Sequence, residues 1–269
     1  MIRTIFEWRR YMTGELLNIA TRYHYSYGSK YNSIQVANWE WILYIALIII
    51  ALISIIASIR VNSVFNKYNK VPSMTGFTGA TAAQRMLQYA GVLDVTITVT
   101  PGKLTDHYDP RNKTLYLSRE VFYGNSIAAI GVAAHESGHA MQHHEAYGPL
   151  VLRSKLVPVA KIGSTFGIWI AIIGLVIAQY MTHNATLVMD IGIILFSAAV
   201  LFQLVTLPVE FDASRRAIKY SASFGVLTQD EQKGCRAVLG SAAMTYVAAA
   251  AASVIQLLRL IVMRNNSRR

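Results

Sequence analysis

The residues best able to do chemistry in this 269-residue chain are His135, Glu136 and His139, within the run Ile127 to His143, I-A-A-I-G-V-A-A-H-E-S-G-H-A-M-Q-H. They form the H-E-x-x-H pattern, and the small and apolar residues before it predict a helix. Residues four apart on a helix share one face a single turn apart, so both imidazoles reach one metal ion. A zinc held by two imidazoles and a third protein ligand keeps one position for water and lowers that water's pKa towards ~7. Glu136, beside them, can take the water's proton as a general base. Given the chain's histidine and glutamate content, the pattern is expected by chance only about 0.005 times. The competing reading has His135 and Glu136 merely hydrogen-bonding within a buried helix.

A catalytic zinc needs a third ligand. His143 is one turn further along, but it has drifted about 80° around the helix from His135, which strains joint coordination. The metzincin spacing would need Gly at 142 and His at 145, where this chain has Gln142 and Glu145. Glu210 is the better choice. It follows the third apolar run of the chain, and a hairpin of two membrane spans returns it to the face that carries the active helix. The alternative for Glu210 is a solvated carboxylate paired with Arg215 or Arg216.

The elements that must position these residues are those of a membrane protein. The chain is 54% hydrophobic and 14% charged, with a mean hydropathy of +0.36, and its apolar residues come in blocks. The net charge of +11 would suggest nucleic acid in a soluble domain. Here the basic residues flank apolar runs, so the expected counterpart is an anionic lipid surface and no nucleic acid. The single cysteine, Cys235, excludes an intrachain disulfide and a Cys-rich zinc site, and reads as a small helix residue.

In chain order, residues 1–38 read as an interfacial or poorly ordered extension. Residues 39–60 form a first transmembrane helix, uncharged from Trp41 to Ile59 and opened by Trp39 and Trp41. It lies too far from the start for an ordinary signal peptide and should remain as an anchor. Residues 61–161 are polar enough to face water. Within them Thr78 caps a helix Gly79 to Tyr89 ended by Gly91, Val95 to Thr100 reads as a strand, and 104–108 with 114–118 reads as a hairpin leading at once into the active helix. Asn125 or Ser126 caps that helix, and Gly148-Pro149 is expected to stop whatever continues past His143. Residues 162–207 form a transmembrane hairpin, with apolar runs Ile162 to Met181 and Ala185 to Leu207 joined by a tight turn at 182–184 and interrupted by Asp190. Pro208 is expected to stop the second of these runs. Residues 208–236 carry Glu210 and a capping box, Thr228 with Glu231. Residues 237–263 hold a fourth, alanine-rich span and the C-terminal tail.

Several separate motifs carry a family resemblance: L-T-D-H-Y-D-P-R-N-K, A-A-H-E-S-G-H-A-M-Q-H, L-V-P-V, F-Q-L-V-T-L-P-V-E-F-D-A-S-R-R-A and T-Y-V-A-A-A. From about residue 60 to about 258 the chain resembles the YugP-type neutral zinc metallopeptidases of bacterial membranes. More distantly, the order H-E-x-x-H, two spans, then a glutamate is similar to the HtpX and CAAX-processing membrane peptidases. The resemblance implies one catalytic Zn2+ held by His135, His139 and Glu210, with Glu136 as general base. It also implies that the strand with Asp106, His107 and Tyr108 is the edge along which an extended peptide lies. The distant relatives have an Asp four residues after the ligand glutamate to orient a zinc-bound histidine. This chain has Ser214 there and Asp212 two residues on, so either residue is open as the partner of a zinc histidine. Arg215 and Arg216 are candidates to polarise a scissile carbonyl or an oxyanion, or else to meet lipid phosphates.

The expected fold is a mainly α membrane protein with about four transmembrane helices and a zincin-like α+β catalytic domain carrying a small β-hairpin. The expected function is a membrane-anchored zinc endopeptidase acting on membrane-associated or misfolded polypeptides. One alternative is a site-2-type intramembrane protease, against which the apolar stretch Ile127 to Ala134 is too short to span. Another is a non-catalytic zinc-binding membrane scaffold, which would not need Glu136. Most of the 25 Lys and Arg fall in 60–161 and 208–236, and the 182–184 turn has none. The catalytic side is therefore expected to be the cytoplasmic face of a bacterial cell membrane.

Overall fold

The computed structural model of the chain describes residues 33–180 and 185–267. Of the expected extension at 1–38, residues 1–32 lie outside the described residues, as does the tight turn at 182–184, whereas Ser33 to Asn38 form the start of a helix rather than an interfacial or poorly ordered segment. The first helix, α1 (Ser33–Tyr68), is 36 residues long, about 54 Å at the usual rise per residue against a hydrocarbon core of about 30 Å. Along it Trp39, Trp41, Ile42, Ile45, Ile49, Leu52 and Ile56 stand exposed, a continuous apolar surface that lipid covers and water would not. Past Arg60 the same helix enters the water-facing part, where Phe65 is buried.

α2 (Gly79–Tyr89) starts at a reciprocal cap in which the Thr78 N–H donates to Thr81 Oγ1 (2.8 Å) and the Thr81 N–H to Thr78 Oγ1 (3.3 Å). A three-stranded sheet follows, β1 (Thr96–Thr100), β2 (His107–Asp109) and β3 (Thr114–Ser118), in the order β1-β3-β2. The expected hairpin is β2 with β3, pairing His107 with Tyr116 and Asp109 with Thr114. It is shorter than expected because Pro101 to Thr105 fold back on themselves, with Leu104 at φ 55° and Thr105 Oγ1 donating to the Pro101 carbonyl. Asp106 closes the hairpin with its side chain instead, accepting from the Ser118 N–H (2.7 Å) and hydroxyl. β1 adds in parallel to the other side of β3, leaving β2 at the edge.

A short helix, α3 (Arg119–Tyr123), separates the sheet from the active helix α4 (Ile127–His144), so the expected direct passage from hairpin to active helix is interrupted by one turn of helix. Ser126 rather than Asn125 caps α4, its hydroxyl accepting from the Ala129 N–H at 3.1 Å. The small residues Ala128, Ala133 and Ala134 are fully buried with Met86, Leu115, Leu117 and Val121 in the core of the water-facing part.

Two expected helix stops are corrected. Gly148-Pro149 do not end a helix but open α5 (Gly148–Ile162), because a proline in the first turn loses no hydrogen bond. A π turn, Gly163–Gly167, joins α5 to α6 (Ile168–Tyr180). Pro208 lies inside one unbroken helix, α7 (Ala185–Ser223). Proline removes a single helical N–H, and packing against neighbouring helices holds the rest of the helix together. The last helix is α8 (Gln232–Asn266), and Thr228 and Glu231 form the expected reciprocal cap just before it.

The fold is mainly helical. Among the described residues four helices are long and apolar enough to cross a membrane: Trp39–Tyr68, Gly148–Ala178, Leu187–Ser223 and Gln232–Asn266. The second begins within the stretch expected to face water. Asp190, the acid in the third apolar run, is paired by Arg264 of α8 through two contacts of 2.7 and 2.8 Å.

Candidate metal centre

The centre lies where α4 crosses α7. The crossing is close because Gly138, the second variable position of H-E-x-x-H, packs on the backbone of α7: a Cβ there would stand 2.7 Å from the Ala213 carbonyl oxygen. Higher on the same helix, Gly131 makes room for the buried Cys235 of α8.

At the crossing, His135 and His139 meet Glu210. His135 Nε2 is 3.3 Å and His139 Nε2 3.7 Å from Glu210 Oε2, and one ligand atom from each residue lies within 4.8 Å of the others. Both rings are held from behind. His135 Nδ1 is 3.1 Å from Ser214 Oγ, and His139 Nδ1 is 3.0 Å from Gln142 Oε1. The Gln142 amide in turn donates to Asp212 Oδ2 and to the Val209 carbonyl, each at 2.9 Å. With Gln142 Oε1 accepting, His139 carries its proton on Nδ1 and turns the lone pair of Nε2 towards Glu210. Two imidazole nitrogens and one carboxylate oxygen, converging and fixed from behind, are a donor set that fits zinc.

Glu210 is 2% exposed, and its second oxygen, Oε1, is 3.3 Å from Arg153 Nη1 of α5. The Tyr246 side chain of α8 also hydrogen-bonds it. Four helices thus meet at one carboxylate.

Glu136 is set by the sheet: the outward N–H of Tyr108, on the edge strand β2, donates to Glu136 Oε2 at 3.1 Å. Burial pushes the Glu136 carboxyl up to about 7, opposed by the charge of His135 and reinforced by those of Glu210 and Asp106. Burial likewise raises the Tyr108 phenol to about 12, so it donates to His143 Nδ1 at 2.9 Å. His143 therefore packs on β2 and is not among the converging ligand atoms.

The other residues singled out from sequence are placed as follows. His107 is exposed and stacks on Tyr116. Arg216 is bound to Asp212 (2.6 Å) and Glu145 (2.7 Å), while Arg215 is exposed on the flank of α7. Sequence reasoning missed Gln142, Arg153 and Tyr246. Gln142 was findable, being three residues after His139 and so on the same helical face. Tyr246 carried a weaker signal, a polar side chain inside an alanine-rich span. Arg153 carried none, since it reads like any basic residue near a membrane.

The fold and the donor set together define a membrane metallopeptidase class of centre. The family described as "Putative neutral zinc metallopeptidase" matches residues 43–265, and the chain belongs to it. The chain is 47% identical over 186 residues, 69% of its own length and 80% of the other's, to "Putative membrane protease YugP" of Bacillus subtilis (strain 168). No solved structure matches the chain.

Proposed function

We propose that this protein is an endopeptidase with one catalytic zinc, a zincin-like catalytic part on the cytoplasmic side of a bacterial cell membrane, and membrane-associated or misfolded polypeptides as substrates. The observation that carries the reading is the convergence of His135 Nε2, His139 Nε2 and Glu210 Oε2 beside a glutamate held by the edge of a sheet. Zinc bound there supplies a Lewis acid for a water molecule and for the scissile carbonyl.

The chain's own residues do the rest. Glu136 takes the proton of the attacking water and returns it to the leaving amine. The Tyr108 N–H keeps that carboxylate aimed. An extended substrate lies along β2 beside His107 and Tyr108; because the Tyr108 N–H is bonded to Glu136, it is held there by the remaining polar groups of that edge and by side-chain contacts. Ser214 and Gln142 hold the two imidazoles in the ligand tautomer.

The test is cleavage of a generic unfolded protein by the purified chain in detergent. Cleavage should vanish on treatment with a chelator and return on addition of zinc. Cleavage that survives complete removal of metal would overturn the proposal.

A further inference from the structure

Beside the metal centre, α7 and α8 enclose an open groove of about 680 Å³ that shares with the residues assigned to the peptidase chemistry only Ser214 in its lining. Arg215 and Lys219, one turn apart on α7, and Arg236 on α8 are exposed along it, and its lining contains no carboxylate. Among the described residues none of the three enters an ion pair. Gln232, on the same wall, is 7% exposed, and its amide nitrogen is buried with no acceptor among the described residues. A buried donor of this kind finds its partner in an ordered water or, on turning into the groove, in a ligand there.

The groove also has a polarity gradient. α7 and α8 are consecutive helices joined by the short 224–231 connection. Phe211, Leu239 and Ala243 lie beside the uncharged stretches that end at Val209 and start at Ala237, whereas Lys219, Gln232 and Arg236 lie towards the connection. Cations and an amide donor at one end, and an apolar wall running into the bilayer at the other, match a phosphate with an acyl chain attached.

We propose that this groove binds one anionic phospholipid. The headgroup phosphate sits between Arg215, Lys219 and Arg236, where the Gln232 amide can turn to reach it, and the acyl chain passes Phe211 and Leu239 into the membrane. A polypeptide fits less well, because both walls are helices whose backbone groups are already bonded and offer no strand edge. The site does not depend on the peptidase reading, since neither zinc nor cleavage enters its test.

The test uses the full-length protein in detergent, titrated with phosphatidylglycerol or phosphatidylcholine and read by native mass spectrometry. Phosphatidylglycerol should be retained and phosphatidylcholine should not. Near a membrane surface each cation contributes enough to change retention about fivefold, so K219Q or R236Q should weaken it about fivefold and the double variant about thirtyfold. Gly240 faces open space in the groove, so G240L fills it without removing a charge or a contact and should also displace the lipid. That variant keeps the test decisive if the double substitution fails to fold. Equal retention of the two lipids, or unchanged retention in G240L, would overturn the proposal. So would displacement of phosphatidylglycerol by inorganic phosphate or an acidic peptide at matched concentration, which would make the groove a site for a free anion or a polypeptide.

Discussion

Gln142 bears the most weight of any residue near the centre that cannot itself touch a metal, so Gln142→Met is the most informative perturbation. Methionine nearly matches glutamine in volume and flexibility but neither accepts from His139 nor donates to Asp212. In the native chain the buried glutamine fixes His139 Nδ1 at 3.0 Å and is itself anchored by Asp212 and Val209 at 2.9 Å. Without it the His139 N–H faces an apolar side chain, a loss of about 1–3 kcal/mol for an unsatisfied buried donor. Removing the hydrogen-bond partner of a metal-binding histidine typically costs about 10- to 100-fold in metal affinity, about 1.4–2.7 kcal/mol, so two independent estimates agree. The assay is zinc affinity by competition with a chromophoric chelator, with melting measured at saturating zinc to show that the chain is folded. Activity should recover when zinc is raised to compensate. Parental zinc affinity in folded Gln142→Met would refute the claim that the Gln142 bond sets the orientation of His139.

Four further outcomes are expected. Glu136→Gln should keep a full complement of zinc while cleavage falls by about 10² or more, and loss of zinc in that variant would assign Glu136 a structural role instead. Glu210→Gln should lose zinc and activity together, whereas His143→Ala should keep zinc and act only by freeing the Tyr108 phenol; zinc analysis of the two side by side decides between them. Gly138→Ala touches no ligand, yet its methyl group meets the Ala213 backbone, so α4 and α7 must part at a cost of about 1–3 kcal/mol; zinc affinity as high as in the parent would mean that the crossing is not what brings the ligands together. A reporter fused at residue 183 should score outside the cytoplasm, and a cytoplasmic signal would reverse the orientation derived from the basic residues.

What was legible in the sequence and what was not follow a physical division. H-E-x-x-H on a helix is a local pattern, and spacing alone places its two histidines on one face. Glu210 was reachable because two long apolar runs, interrupted only by Asp190, read as a membrane hairpin, which would return the chain to the side it left. The helix boundaries near prolines were read wrongly, since local stop signals at Pro149 and Pro208 yield to position in the helix and to packing around it. That difference matters for the site. With Pro208 inside α7, Glu210 and Ser214 sit one turn apart on a single helix, and one face supplies both the candidate third ligand and the hydroxyl behind His135. Ser214 thus stands where the distant relatives have an aspartate and still reaches a histidine. Asp212, turned about 200° from Glu210, acts through Gln142, a contact between residues 70 apart that no local pattern encodes.

The same geometry explains why the centre cannot belong to the water-facing part alone. A carboxylate as buried as Glu210 is disfavoured unless charge and hydrogen bonds meet both of its oxygens. Here Oε2 faces the two imidazoles of α4, Oε1 faces Arg153 of α5, and Tyr246 of α8 bonds the same group. Because Arg153 lies against Oε1, Oε2 is the oxygen that Glu210 would offer to a metal beside the two imidazoles. Three of the four helices in this arrangement are among those long and apolar enough to cross the membrane. A fragment ending at residue 161 keeps His135, Glu136, His139 and Arg153 but loses the anion that pairs with the arginine and joins the histidines. The bundle is therefore part of the candidate centre, since it carries Glu210 and the groups that make its burial tolerable.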